Sequence, residues 1–215
     1  MSLRELVKGI EPKGIFVSSV SPDAFEIAVA TILSQNTSDR NALKAFEDLK
    51  GRLNGRITPK GVLSLSIDEL ESLISSSGLK KGKAASIVNL AVVTLSKWGG
   101  DLAKVLEEGE PRRALMEVKG IGPKTADVIL LHLGYKETFA IDRHIDRVVK
   151  RFGIVDHKSG YEFIRLKLMG IFPPEERLSA HKSLILIGRE HCRPRNPSCS
   201  SCPLGKECRK SVLTL

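Results

Sequence analysis

The stretch Val118-Lys-Gly120-Ile-Gly122-Pro-Lys124-Thr125-Ala-Asp-Val-Ile-Leu-Leu-His-Leu-Gly134 decides how the chain is read. Gly120 and Gly122 flank a single apolar residue, a pattern for a tight turn between helices, and Pro123 follows where the first turn of a helix accepts proline. From there Ala126, Ile129, Leu130 and Leu133 fall on one face before Gly134 provides a stop. Such a helix begins with unpaired N–H groups pointing outward, and those suit a phosphate. The same residues also suit an ordinary glycine turn in a helical protein.

Outward from this stretch the periodicity stays helical. Ile145, Val148, Val149 and Phe152 line one face before Gly153, and Phe25, Ala28, Val29, Ile32 and Leu33 do so after Ser21, read as an N-cap, and Pro22, read in the first turn. Ser66 with Glu69 and Ser159 with Glu162 have capping-box spacing ahead of further helices. More helices are predicted near 39–50, 84–97, 111–118 and 175–190, separated by short turns rich in Gly, Pro and Lys. Period-two alternation is scarce, so the fold class is all-α.

At 215 residues the chain can build a real core without crosslinks. Its 34 Lys and Arg against 25 Asp and Glu give a formal charge of +9, which favours a polyanionic partner, with nucleic acid first in line. Residues 1–10 lack the apolar run of a signal peptide, and no segment approaches the roughly 18 apolar residues of a membrane span. A cytoplasmic, nucleoid-associated monomer without membrane contact is expected. All four cysteines lie between Cys192 and Cys208, which points to a reducing compartment and a local ligand set rather than a disulfide framework.

Three stretches carry chemistry. Lys124 offers an amine in the first turn after the glycines, either as a phosphate-contacting cation or as a nucleophile whose pKa a helix N-terminus and partial burial would lower. Asp142, in Phe139-Ala-Ile-Asp142-Arg-His-Ile-Asp-Arg147, opens the next amphipathic helix; it suits an N-cap, and equally a carboxylate that stabilises positive charge. Cys192-x6-Cys199-x2-Cys202-x5-Cys208 suits zinc or an iron-sulfur cluster on ligand chemistry alone. Arg189, Arg193, Arg195, Lys206, Arg209 and Lys210 surround it against Glu190 and Glu207, a balance that would offset thiolate charge and meet a DNA backbone. His144 and His181 read as structural or phosphate-donating residues, not metal ligands.

Together these stretches resemble the endonuclease III family of helix-hairpin-helix DNA glycosylases, from about Pro22 to Cys208. The resemblance implies that Gly120, Gly122 and Thr125 hold a DNA phosphate through the hairpin, that Lys124 and Asp142 form the catalytic pair, and that Cys192, Cys199, Cys202 and Cys208 carry a [4Fe-4S] cluster. It implies a helical domain over 22–135 with six helices, ending in the hairpin. A second helical domain, made of 1–21 and 136–215, would hold the cluster loop, with a DNA-binding cleft between the two. Ile32-Leu-Ser-Gln35-Asn-Thr-Ser-Asp39 resembles the loop whose Gln fills the gap left by an extruded base, and Gly78-Leu79-Lys-Lys-Gly-Lys-Ala84 the loop whose apolar residue wedges into the opposite strand. By themselves, Gln35 suits a polar helix end, Leu79 a core leucine, and Lys80, Lys81 and Lys83 solvated cations. Arg193 is expected to meet the DNA backbone.

Pro123, where the family often has Arg, and Arg143, where it often has Thr, depart from the pattern; Arg143 stands beside Asp142 and puts the damaged-base range in doubt. The implied activity is base excision of oxidised pyrimidines from double-stranded DNA, with lyase action at abasic sites. The alternatives are the same scaffold acting on mismatched thymine or uracil or on alkylated purines, and a non-catalytic DNA-binding module.

Overall fold

A computed structural model of the chain describes residues 1–11 and 19–209. It is all-α, with no strand among the described residues, as the helical periodicity requires. The chain divides into two compact units, Ile15–Leu133 and Met1–Gly14 together with Gly134–Leu215. Helix α1 (Leu3–Lys8) belongs to the second of these.

The middle unit contains α2 (Ala24–Leu33), α3 (Asp39–Arg52), α4 (Pro59–Leu63), α5 (Ile67–Leu73), α6 (Lys80–Trp98), α7 (Pro111–Met116) and α8 (Pro123–His132). Helix α2 is its centre: Phe25 to Leu33 are all buried, and α3, α6 and α8 pack around it. A helix that is apolar on nearly every side belongs in a core, and its one charge, Glu26, is paired there with Lys50 at 2.8 Å. The hairpin is formed by α7 and α8. Asp127, fully buried on α8, accepts Arg112 of α7 in a two-pronged ion pair at 2.8 and 3.1 Å, so the two legs are joined by charge as well as by packing.

The unit formed by the chain ends adds α9 (Arg143–Phe152), α10 (Tyr161–Ile171) and α11 (Arg177–Glu190). Helices α9 and α11 lie so close at Gly188 that a Cβ there would come within 2.6 Å of His144 Cβ. The segment leading into α9 is fixed by the same unit: Phe139 stacks on Phe172 with ring centroids 5.7 Å apart. His181, buried on α11, places Nδ1 3.0 Å from the Ala140 carbonyl, so that histidine is structural. Arg177, also buried, donates to the carbonyls of Lys136, Met169 and Phe172.

Two helix starts differ from the sequence reading, and a third agrees with it in part. Asp23, not Ser21, caps α2, its Oδ1 accepting from the N–H groups of Phe25 and Glu26, while the Ser21 hydroxyl accepts from Asp23 N–H. A carboxylate is the stronger acceptor and its charge suits the positive end of the helix, so Pro22 falls before the cap. Helix α10 starts after Gly160 with no side-chain cap, and Glu162 pairs with Arg165 instead of closing a box with Ser159. Ser66 does cap α5 by accepting from Glu69 N–H at 3.2 Å, but the Glu69 carboxylate goes to Arg52, which leaves half a capping box. No helix among the described residues is long and apolar enough to cross a membrane.

Gly120 is required twice over. Its φ is +101°, a conformation that L side chains avoid, and a Cβ on it would fall 1.9 Å from Ser86 Oγ on α6. Gly120→Ala is therefore expected to destabilise the fold by about 2–4 kcal/mol, the sum of overpacking and backbone strain; a urea unfolding curve checks this.

Candidate active site and metal centre

Helix α8 starts after Gly122, which as N-cap supplies no side-chain hydrogen bond, as Gly160 supplies none to α10. Gly122 has an ordinary φ of −92°, and a Cβ there would meet nothing within 4 Å. Neither strain nor packing asks for glycine. What glycine does provide is a bare approach to the helix end, where backbone N–H groups and the helix dipole favour an anion. Lys124, half-buried, stands in that first turn, and Thr125 is buried beside it. Gln35, just past the end of α2, donates from Nε2 to Thr125 Oγ1 at 3.0 Å. Thus the Gln35 side chain is bonded to the first turn of α8, which carries Lys124 between Pro123 and Thr125.

Two turns of α6 support it. Ser86 packs against Gly120, and Asn89 Nδ2 donates to the Lys119 carbonyl at 3.2 Å. At the head of α6 stands Leu79, which is no core leucine: it is 67% exposed and its φ is +49°. An apolar side chain in water on a left-handed backbone costs about 1–2 kcal/mol in conformation alone, and strain of that kind points to function. Lys80 and Lys81 are solvated as expected, Lys80 lying 3.7 Å from Glu71. Lys83 is not. It is buried and donates to the carbonyls of Leu33 and Ser77, because it points along the inner face of α6 where those carbonyls end unpaired by their own helices. Burial pushes its pKa down to about 8.

In the other unit Asp142 is the N-cap of α9, its Oδ1 accepting from the N–H groups of His144 and Ile145, each at 2.8 Å. The structural role is thus real, and it holds the half-buried carboxylate in one place. Arg143 beside it is exposed. Burial holds the His144 imidazole below its usual pKa, with Arg147 and Arg189 adding to the effect against Asp142.

The far end of α9 organises the cysteines. Cys192, Cys199, Cys202 and Cys208 line one cavity with Arg151, His191, Pro197 and Gly205, although no three acidic, His or Cys side chains among the described residues converge as for a single metal ion. Arg151 donates to the carbonyls of Arg193 and Pro194 at 2.7 and 3.1 Å and approaches Cys192 Sγ at 3.6 Å. Arg147 donates to the Cys192 and Gly188 carbonyls at 2.6 and 2.8 Å. Neither arginine stood out in the sequence, though their i, i+4 spacing on the helix that Asp142 opens was visible. Gly205 is a contact glycine: a Cβ would lie 2.4 Å from the Cys199 carbonyl. Burial pushes the Cys202 thiol up, and the three other cysteines push it further, so four thiolates here call for the positive charge of bound metal. A soft, four-sulfur set around a cavity rather than a point fits a cluster. Arg193 is exposed, its Nη2 donating to Ser198 Oγ at 2.7 Å; Lys210 lies outside the described residues.

An all-helical fold with this hairpin defines a helix-hairpin-helix protein. More particularly, the chain belongs to the HhH-GPD superfamily of base excision DNA repair proteins, whose model matches residues 29–174. It is similar to the endonuclease III of Sulfolobus acidocaldarius, 35% identical over 211 residues that cover 97% of this chain and 93% of that protein. The endonuclease III of Bacillus subtilis is 31% identical over 89% of this chain and 83% of its own length. A solved non-covalent endonuclease III–DNA complex superposes with a TM-score of 0.82 at 31% identity, covering 96% of this chain and 92% of that one. A trapped covalent endonuclease III–DNA intermediate matches with the same figures. A thermostable thymine-DNA glycosylase, at TM-score 0.79 but 19% identity, shares the fold. The chain is accordingly a base-excision repair enzyme of the DNA glycosylase and lyase type.

The two hairpin glycines separate folding from binding. Gly122→Val, at a position with open space and permissive φ, is expected to leave the melting temperature within about 2 °C while weakening binding to duplex DNA by about tenfold or more through blockage of the helix end; a fluorescence-anisotropy titration checks it.

Proposed function

We propose that this enzyme removes oxidised pyrimidines from duplex DNA and then cleaves the strand at the abasic site, with Lys124 as nucleophile and Asp142 as the supporting carboxylate. The observation that carries the reading is the lysine in the first turn of a glycine-capped, side-chain-free helix start. A phosphate drawn to those N–H groups would bring the sugar of a neighbouring nucleotide within reach of a side chain on the same turn.

The chemistry assigns one step to each group. As the glycosidic C1′–N bond breaks, its electron pair leaves with the base and positive charge gathers on the sugar; the Asp142 carboxylate stabilises that charge. Lys124 Nζ, deprotonated, forms a bond to C1′; the C1′–O4′ bond then breaks, its electron pair and a proton from Nζ passing to O4′, which leaves an imine. The imine acidifies the C2′ hydrogen, a base removes that proton, and the 3′ phosphate departs with the C3′–O electron pair. Water then releases the lysine. Reaching C1′ requires the nucleotide to leave the stack, and Gln35 and Leu79 are suited to fill the gap and part the opposite strand. Gly120 shapes the hairpin, and Thr125 holds Gln35 next to Lys124.

Cys192, Cys199, Cys202 and Cys208 would hold a [4Fe-4S] cluster, which when bound supplies a fixed four-point crosslink of its loop. Arg193 on that loop is suited to a phosphate contact. The enzyme acts as a monomer on DNA containing damaged bases or abasic sites, in the cytoplasm at the nucleoid. Arg143 is the residue beside Asp142 most able to shift the range of bases accepted.

Incubation with a duplex carrying thymine glycol or an abasic site in the presence of borohydride should trap a covalent complex. Lys124→Gln is expected to abolish trapping while DNA binding survives; full lyase activity in that variant would refute the assignment. Asp142→Asn should retain the melting temperature, since Asn is as good an N-cap as Asp, yet slow base release by about 100-fold. Purified protein should show a broad absorption band at about 400 nm, lost in Cys199→Ser.

A further inference from the structure

The cation buried under the head of α6 connects two loops that the proposed function treats separately. Lys83, 3% exposed, turns its ammonium away from solvent and donates to the Leu33 carbonyl at 2.8 Å and to the Ser77 carbonyl at 2.6 Å. Leu33 is the last residue of α2, two before Gln35; Ser77 stands two before Leu79. The Lys83 N–H also donates to the Leu79 carbonyl at 3.1 Å. One side chain is therefore bonded to the segments that carry both residues assigned to the opened duplex.

Fold stability alone is a poor account of this choice. An ammonium taken out of water onto neutral carbonyls carries a desolvation penalty, and burial has already pushed its pKa down to about 8. A smaller polar cap or an apolar side chain would close α2 at less cost. What a long, double-donating cation adds is a fixed distance between two backbone segments, one at the end of α2 and one in the turn after α5.

We propose that Lys83 is a positioning residue for lesion extrusion, setting the separation at which Gln35 and Leu79 enter the duplex. The inference rests on the reading of those two residues as the ones that enter. Insertion from two loops succeeds only if both arrive at the same base step, so an error on the order of 1 Å between them is costly to the rate. Lys83 itself touches no reacting atom.

Single-turnover strand cleavage by the full-length, cluster-containing protein tests this on two duplexes with one abasic site. In the first the flanking pairs are matched; in the second they are mismatched and already unstacked, so that little opening work remains. Gln35→Ala and Leu79→Ala are expected to be slow on the matched duplex and near wild type on the mismatched one. Lys83→Met should follow the same pattern, about tenfold slower on matched DNA and within about threefold of wild type on mismatched DNA. Combined with Leu79→Ala it should add less than about twofold, since both changes remove one event.

Equal slowing of Lys83→Met on both duplexes would mark a merely structural role and overturn the proposal, as would no slowing on either or a fully multiplicative double variant. If Lys83→Met does not fold, Lys83→Gln, which keeps a shorter neutral donor, is read by the same criteria. Should Gln35→Ala and Leu79→Ala leave matched-duplex cleavage unchanged, the assignment of those residues falls and the clamp with it. Should they show the deficit while Lys83→Met does not, the clamp alone is wrong.

Discussion

The approach of Gly120 to Ser86 governs the middle unit's working end. Because a backbone without a Cβ lies directly on α6, the turn between α7 and α8 can be short, and α8 starts abruptly, with Gly122 extended and Lys124 one residue after the proline. A longer or looser turn would let some side chain fold back and satisfy the first N–H groups, as Asp23 does for α2 and Ser38 for α3. Gly122, having no side chain, makes no such cap at α8, which is what the proposed phosphate contact requires. The Arg112–Asp127 pair ties the two legs of the hairpin together.

Helix α9 does in the other unit what α6 does in this one. Its first turn fixes Asp142 by capping, and its last turns fix the cysteine loop through Arg147 and Arg151, which meet three loop carbonyls between them. Because a helix is stiff over ten residues, the carboxylate and the loop are set relative to each other by one rod. A cluster held by the four cysteines would then have a use that needs no redox step: crosslinking the loop at four points would keep its basic side chains in register with the helix that carries the carboxylate.

Much of this was legible because the signals were local. A helix reads out in steps of three and four, a glycine hairpin in five residues, and a cysteine set in its spacing; each is a property of neighbours in sequence. Capping was half legible: Ser66 serves as read, whereas Asp23 displaced Ser21 and Gly160 replaced Ser159, since two adjacent candidates compete and the backbone trajectory decides. Lys83 and Asp127 were illegible for another reason. Both are charges with a partner far along the chain, Leu33 50 residues before Lys83 and Arg112 15 residues before Asp127, and a lysine among lysines beside an exposed loop reads as solvated until the fold closes over it. Arg151 was missed likewise, because its partners are main-chain carbonyls, which leave no mark in the sequence.

Leu79 shows how these constraints combine. A leucine at this site gains nothing from burial, being mostly exposed, and it loses conformational energy by taking a left-handed backbone that glycine or asparagine would adopt freely. Folding would select against it. The backbone on either side of it is nonetheless tied down, between the Gly78 turn and a helix in which the Lys83 N–H donates to the Leu79 carbonyl, with a buried cation fastened two residues upstream. A side chain kept apolar and exposed at a cost to stability suits the role proposed for it, entry into the stacked interior of a DNA duplex, an apolar environment that arrives with the partner. In that proposed role the backbone restraint matters as much as the apolarity: a leucine on a loose loop would spend insertion energy on being ordered, whereas one on a backbone already tied down could direct it to unstacking the base.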